Sequence, residues 1–468
     1  MVFSSLIFTF YFLPAVLILY YLMKEKYRNA VLLAASLAFY AYGEPKFVIL
    51  MAGSIAINYV IALLISRNRP QAKKLMILAV ILNIGILFFY KYLNFGISVV
   101  NSLFRSQLRT LPVTMPIGIS FFTFQALSYV IDVYRGTVRV QKNPLYIALY
   151  ISFFPQLVAG PIVRYHDIET QMDHRQTNPA MFGEGSKRFI LGFCKKVILA
   201  NNLAVAADEI FAMPFTTVNP LVLWFGLICY HLQIFYDFSG YSDMAIGLGR
   251  MFGFTFGENF NYPYIAGTVT EYWRRWHISL SQWFRDYVYI PLGGSHGTPL
   301  QTIRNMLVVW LLTGIWHGAN FTYIVWGLGF FVLLVFEKYI LKPEKRSHLL
   351  RFAWRIITML CIILSWVLFR SPSLKSSLRY FLSLLGVYVH QFSWDSTMQA
   401  YLREYGAFLF LGILFTAPVI RKLEEKCSRS KAAFIPYIAE PVICAVLFLW
   451  AVSFLILGAH NPFIYFNF

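Results

Sequence analysis

The chain has 468 residues, of which 58% are apolar, 18% aromatic and only 13% charged, against roughly 25% charged in an ordinary soluble domain. That balance excludes a water-soluble globule, because too few polar residues remain to cover a body of this size. The formal charge of +19, from 40 Lys and Arg against 21 Asp and Glu, sits in short loops between apolar runs, which is the positive-inside pattern of cytoplasmic loops and not a nucleic-acid-binding face.

The first apolar run, 2–23, has no basic leader and carries its charge afterwards, so it reads as a retained helix with an outside N-terminus. Lys24, Lys26 and Arg28 then lie in the cytoplasm. Helices are expected at 29–42, 46–66, 75–98 and 115–134, an alternation that places Arg67, Arg69, Lys73 and Lys74, and later Arg135, Arg139 and Lys142, on that same side. Toward the other end, basic loops at 338–351 and 421–431 imply a span at 352–369, an outside segment at 371–403, a span at 405–420 and a last one at 434–459.

Between 144 and 337 the apolar stretches are short and broken by Pro155, Gly160, Pro161, Pro263, Pro291, Gly293 and Gly294. Irregular backbone at membrane depth survives only where protein or a water-filled cavity satisfies it, so re-entrant or tilted helices around a cavity are expected there. No internal repeat or linker is visible. The expectation is an all-α polytopic membrane protein, one domain over 1–468, with about ten to twelve transmembrane helices and a core at about 115–337. The five cysteines, Cys194, Cys229, Cys361, Cys427 and Cys444, lack paired spacing, so neither disulfides nor a metal site is expected.

Polar groups inside such a chain are costly and mark function, and three segments carry them. Segment 270–295, TEYWRRWHISLSQWFRDYVYIPLGGS, opens as an amphipathic helix on which Trp273, His277 and Ser281 share a face by their spacing of four, while Arg274, Arg275 and Arg285 offer charge to phosphates or head groups. An interfacial helix with an aromatic and Arg belt fits the same residues. Its tail, Ile290 to Gly294, must leave the helix. Segment 311–327, LLTGIWHGANFTYIVWG, buries His317 beside Gly314, Gly318 and Ala319, whose small size lets a backbone or a substrate approach the imidazole. A neutral histidine there can take a proton near pH 7, or simply bond a neighbouring helix. Segment 228–250 carries Asp237 and Asp243, with His231, Ser239 and Ser242, which interrupt an otherwise span-like run and read as structural or tunnel-lining groups. No GxSxG, P-loop, GxGxxG or HExxH motif is present.

The strings WRRWHISLSQWFRDYVYIPLGG and GIWHGANFTYIVWG, with PIGISFFTFQALSYVIDVYRG (116–136), FFPQLVAGPIVR (153–164) and FYDFSGYSDMAIGLGRMFGF, resemble the membrane-bound O-acyltransferase superfamily, and within it the bacterial alginate O-acetyltransferase branch. The likeness runs from the first helix to Phe463, Ile464, Tyr465 and Phe466. It implies a helical core around a funnel, with His317 matching the family's principal catalytic histidine and His277 its second. Candidate donor contacts are Trp276, Arg274, Arg275, Arg285 and Asn320. The resemblance further implies acetyl-CoA as donor with no tightly bound cofactor, and a bacterial cytoplasmic (inner) membrane location. It also implies a separate extracytoplasmic acceptor, such as an SGNH-type acetyltransferase, that modifies an exopolysaccharide such as alginate. Membrane lipid is the remaining partner, and nucleic acid is not one. Two other readings stand beside this: a D-alanyl-exporting relative acting on teichoic acid, and a non-enzymatic polysaccharide transporter or scaffold.

Overall fold

A computed structural model describes residues 1–428, 434–458 and 460–462, and among them the regular structure is helical with no strand. A lipid-embedded backbone has no water to bond, and helices satisfy it within one segment. Among the described residues, seven helices are long and apolar enough to cross a membrane: Val48–Arg67, Arg69–Phe104, Pro179–Ala212, Pro220–Met251, Phe321–Lys345, His348–Arg370 and Ala439–Ile456. The chain is therefore an all-α, multi-pass integral membrane protein. The ten to twelve spans expected from sequence exceed this number because other helices fall short in length, as the apolar Phe8–Leu22 and the 17-residue Ile119–Arg135 do, or in hydropathy, as Pro299–His317 does.

The expected helices at 29–42, 46–66, 115–134 and 352–369 are Glu25–Gly43, Val48–Arg67, Ile119–Arg135 and His348–Arg370. The one at 75–98 lies inside the longer Arg69–Phe104. Where a span was placed at 405–420 stands helix Ser396–Leu414, which is not among the seven and begins earlier because the Asp395 side chain accepts from Met398 N at 2.8 Å and caps it. Within the segment 371–403 there is also a short helix, Leu374–Leu384. Helix Phe434–Ile456 stands where the last span was expected. Residues 429–433 of the basic loop, and Phe463 to Phe466, lie outside the described residues, as does the Cys427 side chain. Cys194, Cys229, Cys361 and Cys444 form no disulfide.

The backbone groups into two units, Met1–Phe189 with Met244–Glu258, and Ile190–Asp243 with Asn259–Phe468. In the first, Phe3, Phe8, Phe12, Phe39 and Phe154 form one aromatic cluster with ring separations from 4.8 to 6.4 Å, each favourable pair adding roughly 0.5–1.5 kcal/mol beyond its burial. Helices Val48–Arg67 and Ala72–Leu87 are joined by a reciprocal amide pair, Asn58 Nδ2 to Asn83 Oδ1 at 3.1 Å and Asn83 Nδ2 to Asn58 Oδ1 at 2.8 Å. Both side chains are buried, so each removes the other's polar cost in an apolar medium. The broken stretch at Pro155, Gly160 and Pro161 is indeed irregular over 158–164 and buried through Val163, as backbone at such depth must be when it is not helical.

The second unit is built on the helices Pro220–Met251 (up to Asp243), Pro299–His317, Phe321–Val335 and His348–Arg370. Pro299–His317 and Phe321–Val335 approach so closely that a Cβ at Gly314 would stand 2.6 Å from the Tyr323 carbonyl oxygen, and one at Gly327 2.5 Å from that of Trp310. The small residues around His317 thus admit a neighbouring helix. Asp237 and Asp243, the two acids in this otherwise apolar run, both lie within the continuous helix Pro220–Met251. Lys196 Nζ meets Asp237 at 2.6 Å, with both side chains 2% exposed, and Lys195 Nζ meets Asp243 at 2.6 Å. These ion pairs let the carboxylates sit in an apolar helix.

Candidate active site

The segment expected to be one amphipathic helix is broken at its histidine. Helix Val269–Trp273 ends in a turn, and His277 adopts φ +44°, ψ +55° before a second helix, Ile278–Phe284. Few non-glycine residues take this left-handed conformation, histidine more readily than most, and such strain persists where the surroundings over-determine it. Trp273 and His277 are buried while Ser281 is exposed, so the three do not share a face. The chain does leave the helix where glycines allow it, since Gly293 and Gly294 have φ +104° and +57°.

What fixes His277 is Asn259, which is fully buried. The Ile278 N–H donates to the Asn259 carbonyl at 3.0 Å. The Asn259 side-chain oxygen accepts from Ser279 N at 3.3 Å and Ser279 Oγ at 2.9 Å, and its Nδ2 donates to Ser242 Oγ at 2.9 Å. A backbone N–H can only donate, so that contact sets the amide with Oδ1 toward position 277. His277 Nδ1 lies 3.1 Å from the same Oδ1 and must therefore carry the hydrogen. In the neutral ring Nε2 then holds a lone pair, and it is buried without a hydrogen-bond partner among the described residues. Such a nitrogen can accept a proton or a hydrogen bond from a substrate.

His317 ends helix Pro299–His317, and the chain turns away through an extended Gly318. Its ring stands edge-on to Trp326 at 5.0 Å and to Phe369 at 5.2 Å. With Ile234, Phe238, Trp276 and Trp366 these residues line one pocket, whose free space holds about one water molecule. The two histidines are neighbours through shared rings: Phe238, a pocket wall, meets His277 edge-on at 4.6 Å, and Trp316 lies 6.0 Å from His277 and 5.0 Å from His317. The indole nitrogens of Trp326 and Trp366 are buried without a hydrogen-bond partner among the described residues. The pocket is thus lined by apolar side chains, an imidazole and two tryptophans whose N–H groups have no hydrogen-bond partner among the described residues.

The remaining sequence candidates separate. Trp276 belongs to the pocket, stacked on Tyr272 at 5.7 Å and tilted against Trp366 at 5.4 Å. Asn320 caps helix Phe321–Val335 by accepting from Thr322 N at 3.1 Å, and it donates to the Pro372 carbonyl at 3.0 Å, so its amide is engaged in holding the chain. Arg275 is paired with Glu271 at 2.9 Å and Arg285 with Asp286 at 2.7 Å. Arg274 is exposed with no carboxylate partner among the described residues. His231 is buried away from the pocket lining, 4.4 Å from the Tyr264 ring. Asn259, Trp366 and Phe369 escape sequence reasoning: nothing in the spacing of ENFNYPY marks its first asparagine, and the two aromatics look like ordinary span residues.

Residues 137–381 match the model of the MBOAT, membrane-bound O-acyltransferase family, a region that starts and ends later than the core expected at 115–337. The chain is 45% identical over 389 residues to the probable alginate O-acetylase of Pseudomonas aeruginosa, covering 81% of this chain and 74% of the relative. It is 35% identical over 424 residues to the peptidoglycan O-acetyltransferase of Helicobacter pylori, covering 83% and 80%. It is 31% identical over 266 residues to the teichoic acid D-alanyltransferase of Bacillus subtilis, covering 53% and 65%. With a family match over half its length and such identity over most of it, this protein belongs to the membrane-bound O-acyltransferase family and is an O-acyltransferase.

Proposed function

We propose that this O-acyltransferase takes an acetyl group from acetyl-CoA on the cytoplasmic side of the bacterial inner membrane and relays it to an extracytoplasmic acceptor. That acceptor would be an SGNH-type acetyltransferase or similar protein that O-acetylates an exopolysaccharide such as alginate. The observation that carries this reading is the placement of His317 in an aromatic-lined pocket, with a neighbouring His277 whose Nε2 is left as a lone pair. Acetyl is preferred over D-alanyl because the relatives named for acetyl transfer are matched at higher identity and over more of the chain.

In this mechanism the acceptor hydroxyl attacks the thioester carbonyl. The new C–O bond forms, the C–S bond breaks, and the hydroxyl proton passes to the imidazole of His317 and then to the leaving thiolate. His277, held by Asn259, orients the donor or assists that proton transfer. The indole N–H groups of Trp326 and Trp366 are donors for the carbonyl oxygen as its charge develops. Arg274 is the arginine available to donor phosphates, or equally to a lipid head group.

The test is transfer of label from acetyl-CoA by the purified protein in lipid, with a purified SGNH-type acetyltransferase added or omitted. Label should reach that protein with wild type and not with His317→Ala or His277→Ala. Mutants that match wild type would overturn the reading, as would a wild type inert with every donor and acceptor; either result would favour a transporter or scaffold.

A further inference from the structure

Glu337 lies in the helix Phe321–Lys345, among apolar residues, and is 3% exposed. Its Oε2 accepts from Val269 N at 2.7 Å and from the Trp354 indole at 2.9 Å; its Oε1 accepts from Thr270 N at 2.9 Å and from the Thr270 hydroxyl. These contacts tie together three of the elements that contribute walls to the pocket, the others being helices Pro220–Met251 and Pro299–His317. Glu337 follows directly on helix Phe321–Val335, which carries Trp326. Trp354 is on helix His348–Arg370, which carries Trp366 and Phe369 at its far end. Val269 and Thr270 begin the short helix whose last turn fixes Trp276, since the Arg275 and Trp276 N–H groups both donate to the Tyr272 carbonyl at 2.9 Å. His277 is the next residue.

From this convergence we infer that Glu337 is a positioning residue for acyl transfer: by holding the start of the 269–273 helix against the other two elements, it sets where Trp276 and His277 stand relative to His317. The inference rests on the acyl-transfer reading above. A side chain of the right size is not enough for this role. Each carboxylate oxygen faces at least one N–H that can only donate, so a glutamine in its place would set donor against donor at one of the two oxygens. The strained backbone at His277 depends on its surroundings, and a shift of about 1 Å in a catalytic group can cost about a hundredfold in rate.

The test compares wild type with Glu337→Gln in lipid, using labelled acetyl-CoA and a purified SGNH-type acetyltransferase, with rates expressed per folded molecule. Glu337→Gln should lower kcat at least tenfold while KM for acetyl-CoA stays within about threefold, the pattern of an interaction made in the transition state. Trp354→Phe removes one of the four donors and keeps the packing, so it should give a smaller loss of the same kind and serves if the glutamine variant does not fold. A kcat within twofold of wild type, or a rise in KM alone, would overturn the inference while leaving the acyl-transfer reading intact. A second readout does not depend on turnover. Carbethoxylation of His277 by diethyl pyrocarbonate, read by mass spectrometry, should be at least tenfold faster in Glu337→Gln, because the ring is 1% exposed in the intact arrangement. Unchanged labelling would overturn the inference even if wild type transferred nothing.

Discussion

The Asn259 side-chain oxygen stands 3.1 Å from His277 Nδ1 and, through its other contacts, decides which nitrogen of that ring is protonated. Partners that orient a metal-ligating imidazole are typically worth ten- to a hundredfold in affinity or activity when removed, and orientation of this ring sets an effect of the same order. Asn259→Ala should therefore lower acyl transfer about 10–100-fold in protein that still folds. Steady-state rates in lipid measure this, and an alanine variant as fast as wild type would dismiss the orienting role.

The histidines should differ in kind from their neighbours. Loss of a general acid or base costs on the order of 10²–10⁴ in rate, so His317→Ala should fall in that range, and Phe369→Leu, a change in the pocket wall alone, should fall well short of it. The comparison is made by single-turnover transfer from labelled acetyl-CoA. Equal effects from the two substitutions would argue against proton transfer at His317.

The buried Lys196–Asp237 pair makes a prediction about stability. Removing one partner strands the other charge, at a cost of about 3–5 kcal/mol, whereas replacing both with apolar residues of similar volume is often close to neutral. Asp237→Asn should unfold at markedly lower temperature in detergent, and Lys196→Met with Asp237→Leu should recover most of the loss. A double variant as unstable as the single one would show that the charges themselves are required.

Outside the candidate spans, His166 meets Asp132 at 3.3 Å and Asp167 at 3.1 Å. The hydrogen bond to Asp132, followed by that to Asp167, pushes the imidazole up to about 9 from its ordinary 6.5. A folded-state value above the unfolded one means the protonated ring stabilises the fold. That contribution is fully present below about pH 6.5, declines above it, and is gone once the pH has risen through about 9. The difference in thermal stability between wild type and His166→Gln should follow this course. A difference that grew with pH would contradict it.

The tight crossing of Pro299–His317 and Phe321–Val335 gives a further expectation. A methyl group at position 314 would stand 2.6 Å from the Tyr323 carbonyl oxygen, so Gly314→Ala must separate the helices, and overpacking of this kind costs roughly 1–3 kcal/mol. The variant should show both reduced thermal stability and reduced transfer. A fully stable and active Gly314→Ala would mean that the crossing has slack.

Sequence and structure agree where information is local. The spans near 46–66 and 352–369 are plain in hydropathy, and His317 stands out as a lone imidazole in an apolar run. The segment around His277 misleads for a physical reason: Trp273, His277 and Ser281 have helical spacing, but the backbone reverses at His277 because Asn259, distant in sequence, takes the hydrogen bonds a helix would have used. The partner of Asp237 is likewise not legible locally, since its neutralising lysine lies on another helix. Glu337 carries a legible signal, a single acid in FFVLLVFEKYI, yet its meaning depends on four donors from two other elements.

The left-handed backbone at His277 also bears on how that position should be probed. Asparagine enters this region at small cost, whereas alanine and the β-branched residues resist it. An alanine at 277 thus changes two things together, the imidazole and the preferred path of the chain. Asparagine keeps the path and removes the imidazole with its unpartnered Nε2, so the gap between the two variants separates the shape of the loop from the chemistry it presents.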